Sequence, residues 1–353
     1  MKRVLVTGAG GSAAINFIAS LRMAPEPMHV VGVDVNRWHL ELPDVDRRYV
    51  MPPCSSDDYI ERLNHIIEDE QVELVHPQPD SEVRVISRNR ESIRARTFLP
   101  AERTIEVCQD KARLNRVLAD AGVPVPQSMT IGVPEDVDQA LSRLDRGNGK
   151  VWLRATRGAG ARGSLPISEA SHGRMWIDYW TKVKGAGWGD FMACEFLPGR
   201  EFAFQSVWKE GELITSAARE RLEYVFGNLM PSGQSSSPSV ARTVCREEVN
   251  ETATRAVLAV DEDATGVFCV DMKENGEGVP CVTEINAGRF FTTSNFFTML
   301  GVNMPYLYVL QALGEDVPRL PKHNAAPDNC YWIRLMDCGP VMVVGDKWRS
   351  IAA

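Results

Sequence analysis

Along the first hundred residues the apolar positions switch repeatedly between two periods. Val4, Leu5 and Val6 form an unbroken apolar run, as a strand buried on both faces requires, and a glycine cluster, Gly8, Gly10 and Gly11, follows at once. From Ser12 the period becomes helical, with Ala14, Phe17, Ile18 and Leu21 on one side. The runs "VVGVD" and "VELVHPQ" repeat the strand pattern, and "DDYIERLNHIIEDE" and "SEVRVISRNRESI" the helical one. Such alternation predicts a parallel sheet with helices on both faces, a doubly wound α/β unit spanning residues 1–100.

Beyond residue 100 the pattern changes. A helix in "QDKARLNRVLADAG" puts Leu114, Val117, Leu118 and Ala121 on one face and is ended by Gly122 and Pro124. A second helix, "VDQALSRL", precedes the strand "KVWLRA", which runs into "TRGAGARGS", a loop too rich in glycine to be core. Two strand-like runs, "FMACEFL" and "EFAFQSVW", flank the turn "PGR". The serine-rich stretch "NLMPSGQSSSPSVA" has the length of an active-site loop, and a helix in "EEVNETATRAVLAV" and the hairpin "GVFCVDMKENGEGVPCVTEIN" follow it.

Composition narrows the function classes. A net charge of −8 disfavours a broad surface for nucleic acid or anionic membrane while leaving small anionic ligands open. The eight cysteines include no C-x-x-C pair and read as reduced thiols of a cytoplasmic protein. No apolar run reaches the length of a membrane span.

The first glycine turn invites a dinucleotide reading. Gly8 and Gly10 have the spacing of the G-x-G-x-x-G fingerprint, Ala13 replaces the third glycine, and Asp34 ends the next strand where a ribose-binding carboxylate is expected. Any doubly wound domain begins in much the same way, so an NAD-dependent oxidoreductase stands as one alternative.

The hairpin carries more chemistry. Glu284 and Asn286 are two apart on a strand and share a face, and an even-length connection brings Asp271 to it. Two carboxylates and an amide oxygen suit Mg²⁺, and Arg289 is placed to steady transferred phosphoryl charge. Arg154 ends an apolar run where a cation can hold phosphate, while the loop with Gly158, Gly160, Gly163 and Ser164 offers backbone N–H groups without being a Walker loop. Glu195 and Glu201 flank a Pro-Gly turn, where a carboxylate can accept from ribose hydroxyls. Arg219 and Arg221 alternate on one strand face and suit an anionic substrate or phosphate. There is no G-x-S-x-G elbow and no zinc spacing among the six histidines.

In this order the pieces resemble the ATP-grasp superfamily, and within it the branch similar to the large subunit of carbamoyl phosphate synthetase and to stand-alone carboxylate-amine ligases. The resemblance covers essentially the whole chain, through "QDKARLNRVLADAGVPVPQ", Arg154, the glycine loop, "CEFLPGREF" and "VDMKENGEGVPCVTEINAGR". It implies an α/β fold: an N-terminal doubly wound parallel-sheet domain (1–100), an ATP-grasp fold of two α+β subdomains sandwiching ATP (101–320), and a C-terminal extension (321–353) packing on it. It also implies that Lys111 and Arg154 contact ATP phosphates, that Glu195, Phe196 and Leu197 lie beside adenine, that Glu201 binds ribose, and that Asp271, Glu284 and Asn286 hold Mg²⁺. The family's usual Asn-Pro-Arg is "NAGR" here, which displaces Arg289 from the pattern. The activity implied joins a small-molecule carboxylate to an amine through an acyl phosphate, in a chain for which a homodimer is open. A kinase-like phosphotransferase and a non-catalytic nucleotide-binding module are further alternatives.

Overall fold

The computed structural model describes residues 1–158, 163–235, 237–335 and 339–344. Its first sheet has five parallel strands, β1 (Lys2–Thr7), β2 (Met28–Asp34), β3 (Arg47–Val50), β4 (Leu74–His76) and β5 (Arg96–Thr97), in the order β3-β2-β1-β4-β5. The unbroken apolar run of β1 follows from burial on both sides. Val4 and Val6 pack with Phe17 and Ile18 of the helix Ser12–Arg22, and Leu5 packs with Tyr59 and Leu63 of the helix Tyr59–Asp69 on the opposite face. The strand order reverses between β1 and β4, and at such a reversal the loops after the two strands diverge and leave a crevice.

The second sheet is antiparallel and small: β6 (Ser128–Ile131), β7 (Val151–Ala155), β8 (Leu165–Ile167) and β9 (Phe191–Glu195), in the order β6-β9-β7-β8. The helices Asp136–Leu144 and Ala170–Lys184 bury Val137 and Ile177 against it. The third sheet has seven strands, β10 (Glu201–Lys209), β11 (Glu212–Tyr224), β12 (Pro238–Val244), β13 (Gly266–Glu274), β14 (Pro280–Ala287), β15 (Cys330–Leu335) and β16 (Gly339–Val344), in the order β14-β13-β10-β11-β12-β15-β16. On one face Phe202, Phe204 and Val270 pack with Val249 and Ala253 of the helix Glu247–Val260. On the other, Ala203, Val207 and Val267 share a core with Phe290, Tyr308 and the first sheet, so the N-terminal unit is seated directly on the large sheet.

Several features depart from the pattern read along the chain. The strands β3 and β5 carry mostly charged or exposed residues because they are edge strands of the first sheet. The runs around "PGR" belong to different sheets, β9 to the small one and β10 to the large one, so residues 196–200 form the crossing between the two layers. The segment after residue 320 contributes β15 and β16 to the large sheet itself. In the helix Lys111–Asp120, Leu114 and Leu118 are buried as expected, whereas Ala121 lies past its end and is exposed.

Candidate active site

The hairpin of β13 and β14 sets the geometry. Its register pairs Asp271 with Glu284 and Cys269 with Asn286, with an irregularity just beyond Asp271. Cross-strand partners face the same way, so Asp271, Glu284 and Asn286 are presented together. The row continues across the sheet, where Ala203 of β10 pairs with both Asp271 and Arg219, and Glu201 pairs with both Lys273 and Arg221. The small sheet lies opposite and brings Arg154, at the polar end of β7, over this face. Its guanidinium is 3.2 Å from the Glu284 carboxylate and donates to the Thr283 carbonyl at 3.1 Å.

An open cleft of about 970 Å³, counted out to its solvent-filled mouth, separates the two sheets. Trp152, Arg154 and Ser164 line it from the small sheet, Glu195, Phe196 and Leu197 at the crossing, and Glu201, Arg221, Asp271 and Glu284 from the large one. At the crossing, Glu195 accepts from the Gln127 N–H at 3.2 Å and pairs with Arg146. Leu197 is buried, and the Phe196 ring packs against Trp152. Glu201 accepts from Lys273, Gln234 and the Tyr224 hydroxyl. Those three partners, with Met272 and Ser235 in the wall, were not singled out from sequence. Lys273 was within reach of the period-two argument, being two residues from Asp271; Tyr224 and Gln234 carried no signal of their own.

The charges form a connected chain. Lys111, at the start of its helix, is buried; its ammonium lies 4.0 Å from Glu284 and donates to the Gly158 carbonyl. Asp271 pairs with Arg221 and accepts from the Asn286 amide at 3.2 Å. Arg289 donates to the Asn286 amide oxygen and to Asp80, the first residue of the helix Asp80–Arg88. Burial raises the Asp271 pKa above its ordinary value, with Arg221 acting against it. Burial acts the same way on Glu284, but Lys111, Arg154 and Arg289 outweigh it and hold that carboxyl low. Burial lowers the Lys111 pKa, opposed by Glu284.

A second cleft of about 830 Å³ opens between the helix Asp80–Arg88 and β14, on the crevice side of the first sheet. Asp80, Ser81, Arg84, Gln109, Lys111, Arg157 and Asn286 line it, and Glu284 lines both clefts. Arg157 is paired with Asp110.

Arg219 falls elsewhere, and the first glycine turn, for which the resemblance implies a structural or substrate-facing role rather than NAD binding, is packed. Arg219 lines neither cleft: it is fully buried, stacked on Phe291 with its guanidinium carbon 4.6 Å from the ring, and burial together with Arg221 pulls its pKa down to about 9. Gly160 lies outside the described residues, while Gly158 and Gly163 have the left-handed φ values of +99° and +71°. The first glycine turn is closed by its own neighbours. A Cβ on Gly8 would stand 2.3 Å from Pro79 Cγ and one on Gly10 2.3 Å from His39 Cβ, and Asp34 accepts from the Gly10 N–H at 3.0 Å. Among the described residues no group of three His, Cys, Asp or Glu side chains could cage a metal by itself, and no helix is long and apolar enough to cross a membrane.

Comparison with known proteins agrees with this layout. Residues 188–329, which include the crossing and the hairpin, match the family described as ATP-grasp in the biosynthetic pathway with Ter operon. No curated protein matches by sequence. Among solved structures, the biotin carboxylase domain dimer of Hydrogenobacter thermophilus 2-oxoglutarate carboxylase, in complex with MgADP, ADP and bicarbonate, superposes with a TM-score of 0.71 at 18% identity, over 94% of this chain and 73% of that one. An Aspergillus clavatus carboxyaminoimidazole ribonucleotide synthase complexed with ATP gives 0.70 at 14% identity, over 94% and 81%. An L-amino acid ligase from Bacillus licheniformis gives 0.67 at 13%, over 94% and 79%.

Proposed function

We propose, from the ATP-grasp family match over residues 188–329 and the shared fold, that the chain is an ATP-grasp protein and an ATP- and Mg²⁺-dependent ligase that phosphorylates a carboxylate and passes the acyl group to an amine. The observation that carries this reading is the meeting of two clefts at Glu284, one between the sheets and one against the N-terminal unit. The first is walled by groups that suit a nucleotide, with Arg154 beside Asp271 and Glu284 on one side and Phe196 and Leu197 on another. The second is lined by Lys111, Arg84 and Arg157, cations that suit an anionic acceptor better than a neutral hydroxyl.

Arg154 and Ser164 from the first cleft, with Lys111 and the backbone at Gly158 reaching in from the second and Gly163 behind them, hold the phosphates, Glu195, Phe196 and Leu197 flank the adenine, and Glu201 takes the ribose. Asp271, Glu284 and Asn286 fit Mg²⁺, because two carboxylates and an amide oxygen are a donor set that phosphate oxygens complete. When bound, the ion supplies charge neutralisation at the transferred phosphoryl group. Arg221 and Arg289 fix Asp271 and Asn286 in place and add positive charge on the same side.

The obstacle is that a carboxylate is an anion and a poor electrophile. Held at the junction, its oxygen attacks the γ-phosphorus and ADP leaves. An amine then attacks the carbonyl carbon of the acyl phosphate, and inorganic phosphate leaves with the electron pair. Neither step needs a nucleophilic side chain. The solved relatives are in keeping with this, one with MgADP and bicarbonate bound and one named as an amino acid ligase. The substrates are small molecules and the setting is the cytoplasm.

Hydroxylamine trapping tests the reading. With MgATP and a panel of carboxylic acids, the ligase gives a hydroxamate, ADP and phosphate in equal amounts. A stable phosphate ester with no free phosphate would instead establish a kinase, and NAD binding without ATP binding would return the first glycine turn to the centre.

A further inference from the structure

We infer that the acid accepted by the second cleft carries a second anionic group, read by Arg84. The inference rests on the ligase reading above and deepens it. Six cations line the two clefts, and five of them already have an anionic partner. Arg154 and Lys111 face Glu284, Arg221 is on Asp271, Lys273 on Glu201, and Arg157 on Asp110. Arg84 is half-buried in the wall of the second cleft and makes no hydrogen bond or ion pair among the described residues.

Its placement gives the second group a position. Asp80 and Arg84 are one turn apart on the helix Asp80–Arg88, so they lie on the same side, separated by roughly 6 Å along the axis. Asp80 is tied to Arg289, which is tied to Asn286 beside Glu284. The Asp80 end of the cleft is therefore the reacting end, and Arg84 marks the far end. Ser81 also lines the cleft, and Pro79 supplies no side-chain cap to the N–H groups of the first helical turn. An acid with one carboxylate at the Lys111 end would leave Arg84 unpaired, whereas one with two anionic groups a few bonds apart satisfies both ends. A dicarboxylate and a phosphorylated acid share this chemistry.

The test is calorimetric titration of the full chain, saturated with MgADP, using butyrate, glutarate and 3-phosphoglycerate as probes. Both dianions, or whichever one fits, are expected to bind roughly tenfold tighter than butyrate, one charge-assisted contact being of that size. Arg84→Gln should reduce that dianion to the butyrate level, and Arg84→Lys should keep most of the preference. The arm that responds, glutarate or phosphoglycerate, tells the two sources apart. ADP affinity should be the same in all three proteins. Equal binding of mono- and dianions, no binding of any probe, or a preference that survives Arg84→Gln overturns the inference, and with ADP still bound the nucleotide half of the ligase reading stands. Loss of ADP binding in the unaltered protein would bring down that reading instead.

Discussion

Two of the chain's glycine-rich turns use glycine for opposite reasons. In the first, Gly8 and Gly10 let Pro79 and His39 approach to distances that no Cβ tolerates, and Asp34 bonds back to the Gly10 N–H. In the second, a Cβ on Gly158 would meet nothing within 4 Å, and what the residue provides is a left-handed φ of +99° and a carbonyl that receives the Lys111 ammonium. One turn is packed core and the other borders the two clefts. A fingerprint spacing read from sequence registers only that glycine is required, so the more fingerprint-like turn is the one closed to a ligand.

The largest effect should come from the open side. Glu284→Gln keeps the side chain's volume and removes the charge shared by Arg154 and Lys111 at the junction of the clefts. ATP turnover should fall on the order of 10²-fold or more, with circular dichroism and melting close to the parent. Wild-type turnover in this variant would move the chemistry away from the junction and dissolve the contrast between the turns.

The same contrast shows what the sequence could carry. Period-two alternation put Glu284 and Asn286 on one face and an even-length connection added Asp271, which is the direct partner of Glu284. The apolar run of β1 announced burial on both sides, and Val4 and Leu5 belong to cores on opposite faces. What stayed hidden were contacts between distant segments. Asp80 and Arg289 are 209 residues apart, and neither has a local signal for the other. "PGR" looks like a hairpin turn because a change of sheet needs no more residues than a reversal. Arg219 and Arg221 do alternate on one face, and Phe291, about 70 residues on, lies against both guanidiniums, yet Arg221 reaches the wall of the first cleft while Arg219 is fully covered.

If the first turn is core, acid should attack the region around it. His76 ends β4, is fully buried, stacks on Phe17 of the helix after the turn at 4.0 Å, and has no partner for Nδ1. Burial lowers its pKa from 6.5 to about 4. The unfolded chain therefore takes up this proton first, so the contribution is fully present above pH 6.5 and is lost as the pH falls toward 4. The full loss is about 3 kcal/mol. His76→Phe should flatten that part of the stability profile, measured by urea unfolding between pH 7 and 4.5. An unchanged acid slope would mean that the ring is hydrated and the region less closed than described.

Gly10→Ala should cost about 2 kcal/mol, since the new methyl must displace His39 backbone as well as side chain. Urea unfolding at pH 7 measures it, and ADP affinity should not change. Were NAD or ADP binding lost with stability intact, the turn would be a ligand loop after all.

The smallest expected effect is the matched substitution in the second turn. Among the described residues Gly158→Ala meets no steric obstacle, so its cost is confined to holding a side chain at a positive φ, about 1 kcal/mol, half that of Gly10→Ala. The midpoint of urea unfolding should therefore move about half as far as in Gly10→Ala. The altered backbone does, however, carry the carbonyl that accepts from Lys111, and Lys111 is the cation facing Glu284 from the second cleft. A small displacement there should weaken ATP binding before it slows chemistry, raising KM for ATP several-fold with kcat nearly constant, because substrate and transition state lose the same contact. The two alanine variants thus contrast, Gly10→Ala losing the more stability at constant affinity and Gly158→Ala losing less stability but also affinity. If Gly158→Ala instead lowered the unfolding midpoint as much as Gly10→Ala and left KM untouched, both turns would be structural, and the phosphate-holding role of the second would have to pass to Arg154 and Lys111 alone.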